Sequence, residues 1–258
     1  MPESQYIVHQ PFLYDIGPIK GIGGFGLAML MCFVTGQILL TRELIRRGYD
    51  PAPVGDLVFA AVVGGLLGAK IYYAILVQDA GALFDRAGFV FWGGLIGGII
   101  GTSLVVRFKK LRWSTIADAS AMSLAAAYSV GRPGCWAVGD DYGRPSNLPW
   151  AVAFPNGLPP TDVPVHPTQI YEALFLGWLA WLLIREQRRG VADRRILGHY
   201  MILAGGFRFV VEFIRVNEPV FLGFTVAQIL AFILSATGVV LLSRASSPRA
   251  RQSRRAPS

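Results

Sequence analysis

The chain has 258 residues, of which 53% are hydrophobic and only 16% are charged. This composition excludes a disordered chain, and it excludes an ordinary soluble domain, in which about 25% of residues are charged. The net charge of +8 would suit nucleic acid, but the basic residues lie between long apolar segments, which indicates a membrane instead. Two cysteines, Cys32 and Cys135, are too few for a disulfide framework or a zinc site of their own.

Seven apolar segments approach the length of about 20 residues that a helix needs to cross a membrane. Continuous apolar runs favour helices over the alternating strands of a β-barrel. The segments are residues 21–40, 56–77, 88–106, 115–130, 171–184, 196–214 and 224–243. We therefore predict an all-α, polytopic membrane protein with one domain of seven transmembrane helices over residues 1–243.

The distribution of basic residues predicts the orientation. Seventeen of the 24 lysines and arginines fall in every second loop and in the C-terminal tail. The positive-inside rule then places the N-terminus outside and the C-terminus in the cytoplasm. The first apolar run is too long for a signal peptide and is expected to be a retained span. The tail, residues 244–258, is expected to be disordered, and it either touches anionic lipid or only sets the orientation.

A long loop over residues 131–169 is predicted on the outer side. It contains 8 of the 16 prolines, which disfavour helix, so ordered turns are expected there. Its aromatic residues Trp136, Tyr142, Trp150 and Phe154 supply the apolar anchors that a disordered loop would lack. A loop of this length in a compact domain indicates a functional role.

Ionisable groups gather at the outer ends of the predicted spans. Arg208, Glu212 and Arg215 follow the spacing i, i+4, i+7 and share one helix face. Lys70, Arg132, His166 and Glu172 belong to the same side. Charges are costly in a membrane, so several cations with few carboxylates at one depth indicate an anion site. Paired arginines suit a phosphate, here the headgroup of a phospholipid.

Each of these residues also has a purely structural interpretation. Arg208 and Glu212 could only neutralise each other, Lys70 could extend to the interface, and His166 could be a hydrogen-bonded loop residue. Asp118 is expected to pair with another helix, and Asp56 to cap the second span.

Several motifs occur in order along the chain. They are GAK at residues 68–70, WGGL at 92–95, GRPGCWAVGDDYGR at 131–144, HPTQIYE at 166–172 and RFVVEF at 208–213. Together they resemble the motifs of bacterial prolipoprotein diacylglyceryl transferases. That family moves the diacylglyceryl group of phosphatidylglycerol onto the thiol of a lipobox cysteine in a secreted prolipoprotein, and glycerol phosphate leaves.

The resemblance implies a multi-pass protein of the bacterial cytoplasmic (inner) membrane, with phosphatidylglycerol and the lipobox segment as partners and no metal or cofactor. Arg132 and Arg208 would hold and polarise the phosphate, and Glu212 would orient Arg208 or the substrate. His166 or Asp140 would help the thiol to lose its proton. The remaining substrate-binding residues that it implies are Gly131, Gly134, Gly139, Tyr142, Gly143, Lys70, Trp92, Gly93, Gly94 and Gln169.

The chain also departs from the family pattern. Trp92 stands where the family has the histidine proposed to activate the thiol. Cys135 and Val138 replace asparagines, Asp140 replaces a glutamate, Phe25 a tyrosine and Lys70 an arginine. Two alternatives therefore stay open: a paralogue that uses a phospholipid donor with a different acceptor, and a lipid-binding or transport protein without chemistry.

Overall fold

The computed structural model describes residues 6–16, 19–84, 90–189 and 195–245, and for residues 13–16, 19–22 and 91 it describes the backbone alone. Seven α-helices form in this part of the chain: α1 (Gly24–Arg46), α2 (Pro53–Val77), α3 (Phe91–Phe108), α4 (Trp113–Val138), α5 (Thr168–Arg188), α6 (Arg195–Val211) and α7 (Val226–Arg244). Short 3-10 turns cover Ala80–Leu83 and Glu212–Ile214. The predicted C-terminal tail lies outside the described residues from 246 onward.

The helical membrane character predicted from composition is confirmed. Four helical segments, Gly24–Arg46, Pro53–Val77, Arg195–Ile214 and Val226–Arg244, are long and apolar enough to cross a membrane, and Trp92–Phe108 is a shorter apolar helix. The crossing of all seven segments and the orientation of the termini stay predictions.

Helix α4 continues further than the sequence predicted. It includes Pro133 and ends at Val138, so the expectation of turns over residues 131–138 is wrong. Close packing against α1 accounts for the difference, because a Cβ on Gly134 would lie 2.8 Å from Cβ of Ala28. A proline inside a membrane helix is tolerated where neighbouring groups compensate for its missing N–H.

Two small β-sheets correct the prediction of a purely helical fold. One has the order β1-β4-β5, where β1 is Ile7–Val8, β4 is Val152–Phe154 and β5 is Thr161–Val165. The central strand β4 runs parallel to β1 and antiparallel to β5. The other is an antiparallel hairpin of β2 (Leu13–Ile16) and β3 (Ile19–Gly23). Strands of two to five residues are too short for a period-two pattern to show in the sequence.

The three-stranded sheet carries a small apolar core. Val152, Phe154 and Val165 are buried, and Tyr142 and Trp136, the latter near the end of α4, pack against them. Trp150, also predicted to anchor the loop, is 51% exposed. His9 is also buried at 5% exposure, with its ring centroid 5.2 Å from that of Trp136. The backbone N–H of His9 donates to the carbonyl of Ala153 at 2.9 Å, which extends the pairing of β1 with β4.

The chain forms two compact units, and the first contains residues 1–36 and 118–258. Within it, α6 packs closely on α7, since a Cβ on Gly205 would lie 2.7 Å from the carbonyl oxygen of Ala231. Asp118 is buried, and its Oδ1 accepts the backbone N–H of Leu197 at 3.0 Å near the start of α6. The predicted pairing of Asp118 with another helix is therefore confirmed.

The second unit contains residues 37–117. Glycines line the contact between α2 and α3, and Cβ atoms on Gly64 or Gly97 would overlap the backbone of the facing helix. The predicted capping role of Asp56 is wrong, because Ala52 is the N-cap residue and α2 begins at Pro53. Proline is suited to the first helical position, so the helix starts earlier than the apolar pattern does. Asp56 instead forms an ion pair with Lys109 at 2.7 Å.

Candidate functional site

Six charged side chains meet in the first unit, and we call them the arginine–carboxylate cluster. Their positions are set by the end of α4, the segment after it, the start of α5, the end of α6 and the 3-10 turn that follows. The members are Arg132, Asp141, Glu172, Arg208, Glu212 and Arg215. Three guanidinium groups and three carboxylates give a formal charge balance, which reduces the cost of placing charges in an apolar environment.

Glu172 contacts all three arginines of the cluster. Its side chain is 3% exposed, and its Oε2 pairs with Nη2 of Arg132. Its Oε1 lies 3.5 Å from Nη1 of Arg208 and 3.9 Å from Nη1 of Arg215. A buried carboxylate with three cationic neighbours fixes their mutual positions, because removing it would leave buried charges unpaired.

Asp141 links Arg132 to Arg215. Its Oδ2 lies 2.8 Å from Nη1 of Arg132, its Oδ1 accepts from Nη2 of Arg215, and its backbone carbonyl accepts from Nη1 of Arg215 at 3.0 Å. Burial alone would raise the pKa of Asp141, but the positive charges of Arg215 and Arg132 outweigh burial and lower it. Asp141 is therefore a carboxylate at neutral pH.

Glu212 uses its two oxygens differently. Oε2 lies 2.7 Å from Nη1 of Arg208 and 3.7 Å from Nε of Arg215. Oε1 accepts the Nδ2 amide of Asn217 at 2.7 Å and the hydroxyl of Thr225 at 2.8 Å. The two neutral donors fix the rotamer of Glu212 and leave Oε2 to face the arginines.

Two members of the cluster are partly exposed. The side chain of Arg208 is 30% exposed and that of Asp141 42%, whereas those of Arg132, Glu172 and Glu212 are 5% exposed or less. Both ion pairs of Arg208 use Nη1. Its Nε and Nη2 form no ion pair with any carboxylate among the described residues, so Arg208 can present two N–H groups to an incoming anion.

The predicted site residues fall into three groups: those in the cluster, those next to it and those in the second unit. The structure brings Arg132, Arg208 and Glu212 together in the cluster. Asp140 lies beside the cluster. Its backbone carbonyl accepts a hydrogen bond from the side-chain amide of Gln169, and Gln169 is fully buried. Burial raises the pKa of Asp140, and the charge of Asp141 adds to the effect.

The Asp140 and Asp141 carboxylates lie within 4.8 Å of the thiol of Cys135. Arg132 donates to Sγ of Cys135 at 3.3 Å and to Oδ2 of Asp141 at 2.8 Å. A guanidinium already bound to two of the three groups repels a metal cation, so the arrangement suits an anion better.

His166 and Tyr142 lie next to the cluster without an ion pair to it. Nδ1 of His166 lies 3.4 Å from the hydroxyl of Tyr171, and the backbone N–H of His166 donates to the carbonyl of Arg144 at 3.0 Å. The ring of Tyr142 stacks on Phe154 at 5.3 Å, and its hydroxyl donates to the carbonyl of Pro159. These contacts fix the loop that carries Asp141.

The motif glycines have packing partners within the protein. A Cβ on Gly143 would lie 2.5 Å from the carbonyl of Ile214, so this glycine permits contact with the 3-10 turn that contains Glu212. Gly139 has a φ of +71°, which disfavours any other residue. Gly131 lies near Sγ of Cys32, and Gly134 packs on Ala28. Direct approach of these glycines to a headgroup stays a prediction.

Lys70, Trp92, Gly93 and Gly94 belong to the second unit. A Cβ on Gly93 would overlap the backbone of Gly68, so this glycine permits the close contact of α3 with α2. Gly94 has more room, with the carbonyl of Gly65 at 3.4 Å. The substrate contacts predicted for these four residues stay predictions.

Three members of the cluster were given no catalytic or substrate-binding role from the sequence. Arg215 shares the helical spacing of Arg208 and Glu212, and Glu172 ends the HPTQIYE motif, so both carried a signal. Asp141 carried none that separates it from Asp140. Its φ of +61° turns the chain so that the second of the two carboxylates faces the arginines.

A mostly helical membrane protein with a buried cluster of arginines and one partly exposed guanidinium has a site that suits an anionic lipid headgroup. Residues 11–244 match the family model described as prolipoprotein diacylglyceryl transferase. The chain belongs to this family, which confirms the resemblance seen in its motifs.

Relatives of the same description cover most of the chain. A phosphatidylglycerol–prolipoprotein diacylglyceryl transferase of Methylococcus capsulatus is 35% identical, over 95% of this chain and 98% of the relative. One from Clostridium tetani is 33% identical over 80% of this chain and 85% of its own length. One from Geobacter sulfurreducens is 32% identical, over 91% and 95%.

Proposed function

We propose that this protein transfers the diacylglyceryl group of phosphatidylglycerol to the thiol of a lipobox cysteine in a prolipoprotein. The observation that carries the proposal is the geometry of Arg208, whose Nη1 pairs with Glu172 and Glu212 while its side chain stays 30% exposed. Family membership supports it, since relatives are named for the same donor and acceptor. We place the protein in the bacterial cytoplasmic membrane, with the cluster on the outer side.

The reaction is a displacement at carbon. The thiolate sulfur attacks the glyceryl carbon that bears the phosphate, the new C–S bond forms, and the C–O bond to the phosphate breaks. The electron pair of the broken bond leaves with glycerol phosphate, and the thiol proton passes to a base. Negative charge therefore grows on the phosphate oxygen, which is where arginines stabilise the transition state.

Arg208 makes the first contact with the phosphate, because it is the accessible guanidinium of the cluster. The other edge of its planar guanidinium, Nε and Nη2, binds two phosphate oxygens while Nη1 keeps its ion pairs with Glu172 and Glu212. Arg132 lies behind Glu172 and adds positive charge to the same region. Glu212 positions Arg208 from the opposite side.

Two side chains are candidates to accept the thiol proton. Asp140 has a pKa raised by burial, and its Oδ1 has no hydrogen-bond partner among the described residues, so it can take up a proton. His166 has one ring nitrogen near Tyr171 and a second nitrogen for exchange. The transfer rates of Asp140→Asn and His166→Gln variants, measured as a function of pH, distinguish the two candidates. The base is the residue whose replacement removes the acidic limb of the rate profile.

The direct test uses purified protein, phosphatidylglycerol vesicles and a peptide with a lipobox cysteine. We expect a peptide whose mass increases by one diacylglyceryl group and no modification of the matched peptide with serine in place of that cysteine. If neither peptide is modified while the Methylococcus relative modifies the first, the proposed acceptor is wrong.

A second candidate function keeps the donor and changes the acceptor. Trp92 favours it, because the family's thiol-activating histidine is absent at that position. The discriminating measurement is release of glycerol phosphate from phosphatidylglycerol in the presence of membrane extract but not of lipobox peptide. A Trp92→His variant that gains activity on the lipobox peptide would also support the second candidate.

A further inference from the structure

A groove between α4 and α5 lies away from the arginine–carboxylate cluster. Its volume is about 650 Å³. Small and apolar side chains form most of its wall, and two arginines lie at one end. The lining residues are Ala126, Ser129, Val130, Gly177, Ala180, Trp181, Ile184, Arg185 and Arg188.

One end of the groove is closed by contacts between the helices. The hydroxyl of Ser129 donates to the carbonyl of Ala173 at 2.8 Å. A Cβ on Gly177 would lie 3.1 Å from the same hydroxyl oxygen, so the helices are close together there. Toward the C-terminus of α5, the small side chain of Ala180 leaves room for the groove, and Trp181 and Ile184 line it there.

The other end of the groove is basic. The guanidinium carbon of Arg185 lies 5.4 Å from the ring centroid of Trp181, and Arg188 follows one turn later in the same helix. Both arginines are exposed, and neither forms an ion pair with a carboxylate of the described residues. An arginine stacked on a tryptophan beside an apolar groove suits an anionic headgroup at a membrane interface.

The length of the groove fits a single leaflet. From Gly177 to Arg188 a helix rises by about 16 Å, at about 1.5 Å per residue, which is close to half of the roughly 30 Å hydrocarbon core. Exposed apolar side chains at Leu174, Trp178 and Trp181 also face outward from α5. These dimensions fit one acyl chain with its phosphate at the basic end.

We propose that an anionic phospholipid binds in this groove, with its phosphate on Arg185 and Arg188 and one acyl chain along Gly177, Ala180 and Ile184. Glu172 lies near the start of α5 and these arginines lie in its last turn. With α5 crossing the membrane as the sequence predicts, the site belongs to the leaflet opposite the cluster. The lipid is a bound partner and not a reactant. The proposal does not depend on the transferase activity.

The test uses phosphatidylglycerol with a photoactivatable diazirine at the end of one acyl chain, in phosphatidylcholine nanodiscs that contain the full chain. Peptide mapping then separates labels in α5 from labels near the cluster. We expect labelling of residues 177–184 to fall about fivefold in each of Arg185→Gln and Arg188→Gln, and about 25-fold in the double variant. Arg189→Gln is the matched control, because Arg189 is exposed at the same helix end and does not line the groove.

Two results would overturn the proposal. One is equal labelling of α5 by a phosphatidylcholine probe with the same diazirine, which would show that only the apolar wall binds. The other is unchanged labelling in both single variants, whose exposed positions make misfolding unexpected. Labels near the cluster report donor binding separately, so failure of the proposed function would not alter the result for α5.

Discussion

The hydroxyl of Thr225 connects Glu212 to the N-terminus of α7. It donates to Oε1 of Glu212 at 2.8 Å and accepts the backbone N–H of Gln228 at 3.2 Å. The Gln228 side chain in turn accepts the backbone N–H of Thr225, which completes a capping box. One side chain therefore begins a helix and holds a carboxylate of the cluster in place.

Replacing Thr225 tests this double role. In Thr225→Val the cap is lost at a cost of about 0.5–2 kcal/mol, and Glu212 loses one of its two neutral donors. We expect a lower thermal midpoint in detergent and a lower kcat with little change in KM for phosphatidylglycerol. Thr225→Ser retains the hydroxyl and should restore both quantities. A valine variant that loses stability but keeps its kcat would limit Thr225 to the capping role.

Arg208→Lys separates phosphate binding from simple charge balance. Lysine retains the positive charge toward Glu172 and Glu212 but has no planar fork for two phosphate oxygens. We expect transfer to fall by about 100-fold or more, the equivalent of about 2.7 kcal/mol, with a small change in thermal stability. Arg144→Lys is a suitable control, because Arg144 is exposed and its side chain bonds only the carbonyl of Arg215 among the described residues. Near-normal activity in Arg208→Lys would favour the structural interpretation of this arginine.

Asp118 should matter for stability more than for activity. Its carboxylate accepts the N–H of Leu197, so Asp118→Ala leaves a buried donor near the start of α6 unsatisfied. We expect a loss of about 1–3 kcal/mol in the free energy of unfolding, seen as a lower thermal midpoint. Asp118→Asn retains an acceptor oxygen and should lose less. Equal losses in the two variants would contradict the assigned hydrogen bond.

His9 predicts a pH dependence of stability. Burial lowers its pKa below 6.5, and neither ring nitrogen has a hydrogen-bond partner among the described residues. The unfolded chain therefore binds the proton more readily, so the stability contribution is full above about pH 6.5 and is lost as the pH falls below it. For one group, the free energy of unfolding changes by at most about 1.4 kcal/mol per pH unit.

His9→Phe is the variant that isolates this effect, because it retains an aromatic ring beside Trp136. Thermal midpoints between pH 7 and pH 5 should fall more in the parent than in the variant. His166 and His199 are present in both proteins, so their contributions cancel in the difference. Parallel curves would show that the His9 pocket admits a proton at no cost.

The close contact of α2 with α3 is tested by neighbouring glycines. A Cβ on Gly64 would overlap the carbonyl of Gly97, whereas a Cβ on Gly65 would lie 3.6 Å from the carbonyl of Gly94, an ordinary contact. Gly64→Ala should therefore lower the free energy of unfolding by about 1–3 kcal/mol. Gly65→Ala should have little effect or stabilise, because alanine favours helix. A reversed order of the two thermal midpoints would show that the helices pack through other faces.

The helices were predictable because apolar runs of this length have one main interpretation. The ends of the helices were less predictable. Pro133 suggested a break, but α4 continues to Val138, and Gly134 packs on Ala28 there. The strands of the small sheet escaped prediction because β1 pairs with β4 across more than half of the chain. A strand of two residues has no local sequence pattern that could indicate so distant a partner.

The cluster was predictable in part for a similar reason. A charge inside a span is costly, so Arg208 and Glu212 stood out against their apolar neighbours. Asp141 lies in a loop where charge is ordinary, and only its left-handed backbone directs it to Arg132 and Arg215. Helix spacing indicated a shared face for Arg215, but its bonds to the carbonyl and carboxylate of Asp141 required the folded loop.

The balanced charges of the cluster have a consequence for turnover. In the proposed mechanism the phosphate binds Nε and Nη2 of Arg208, whose charge is already partly balanced by Glu172 and Glu212 through Nη1. The attraction for the phosphate is therefore weaker than in a cationic pocket without resident carboxylates. This weaker attraction would let glycerol phosphate leave after transfer, so that the leaving group does not block the next turnover.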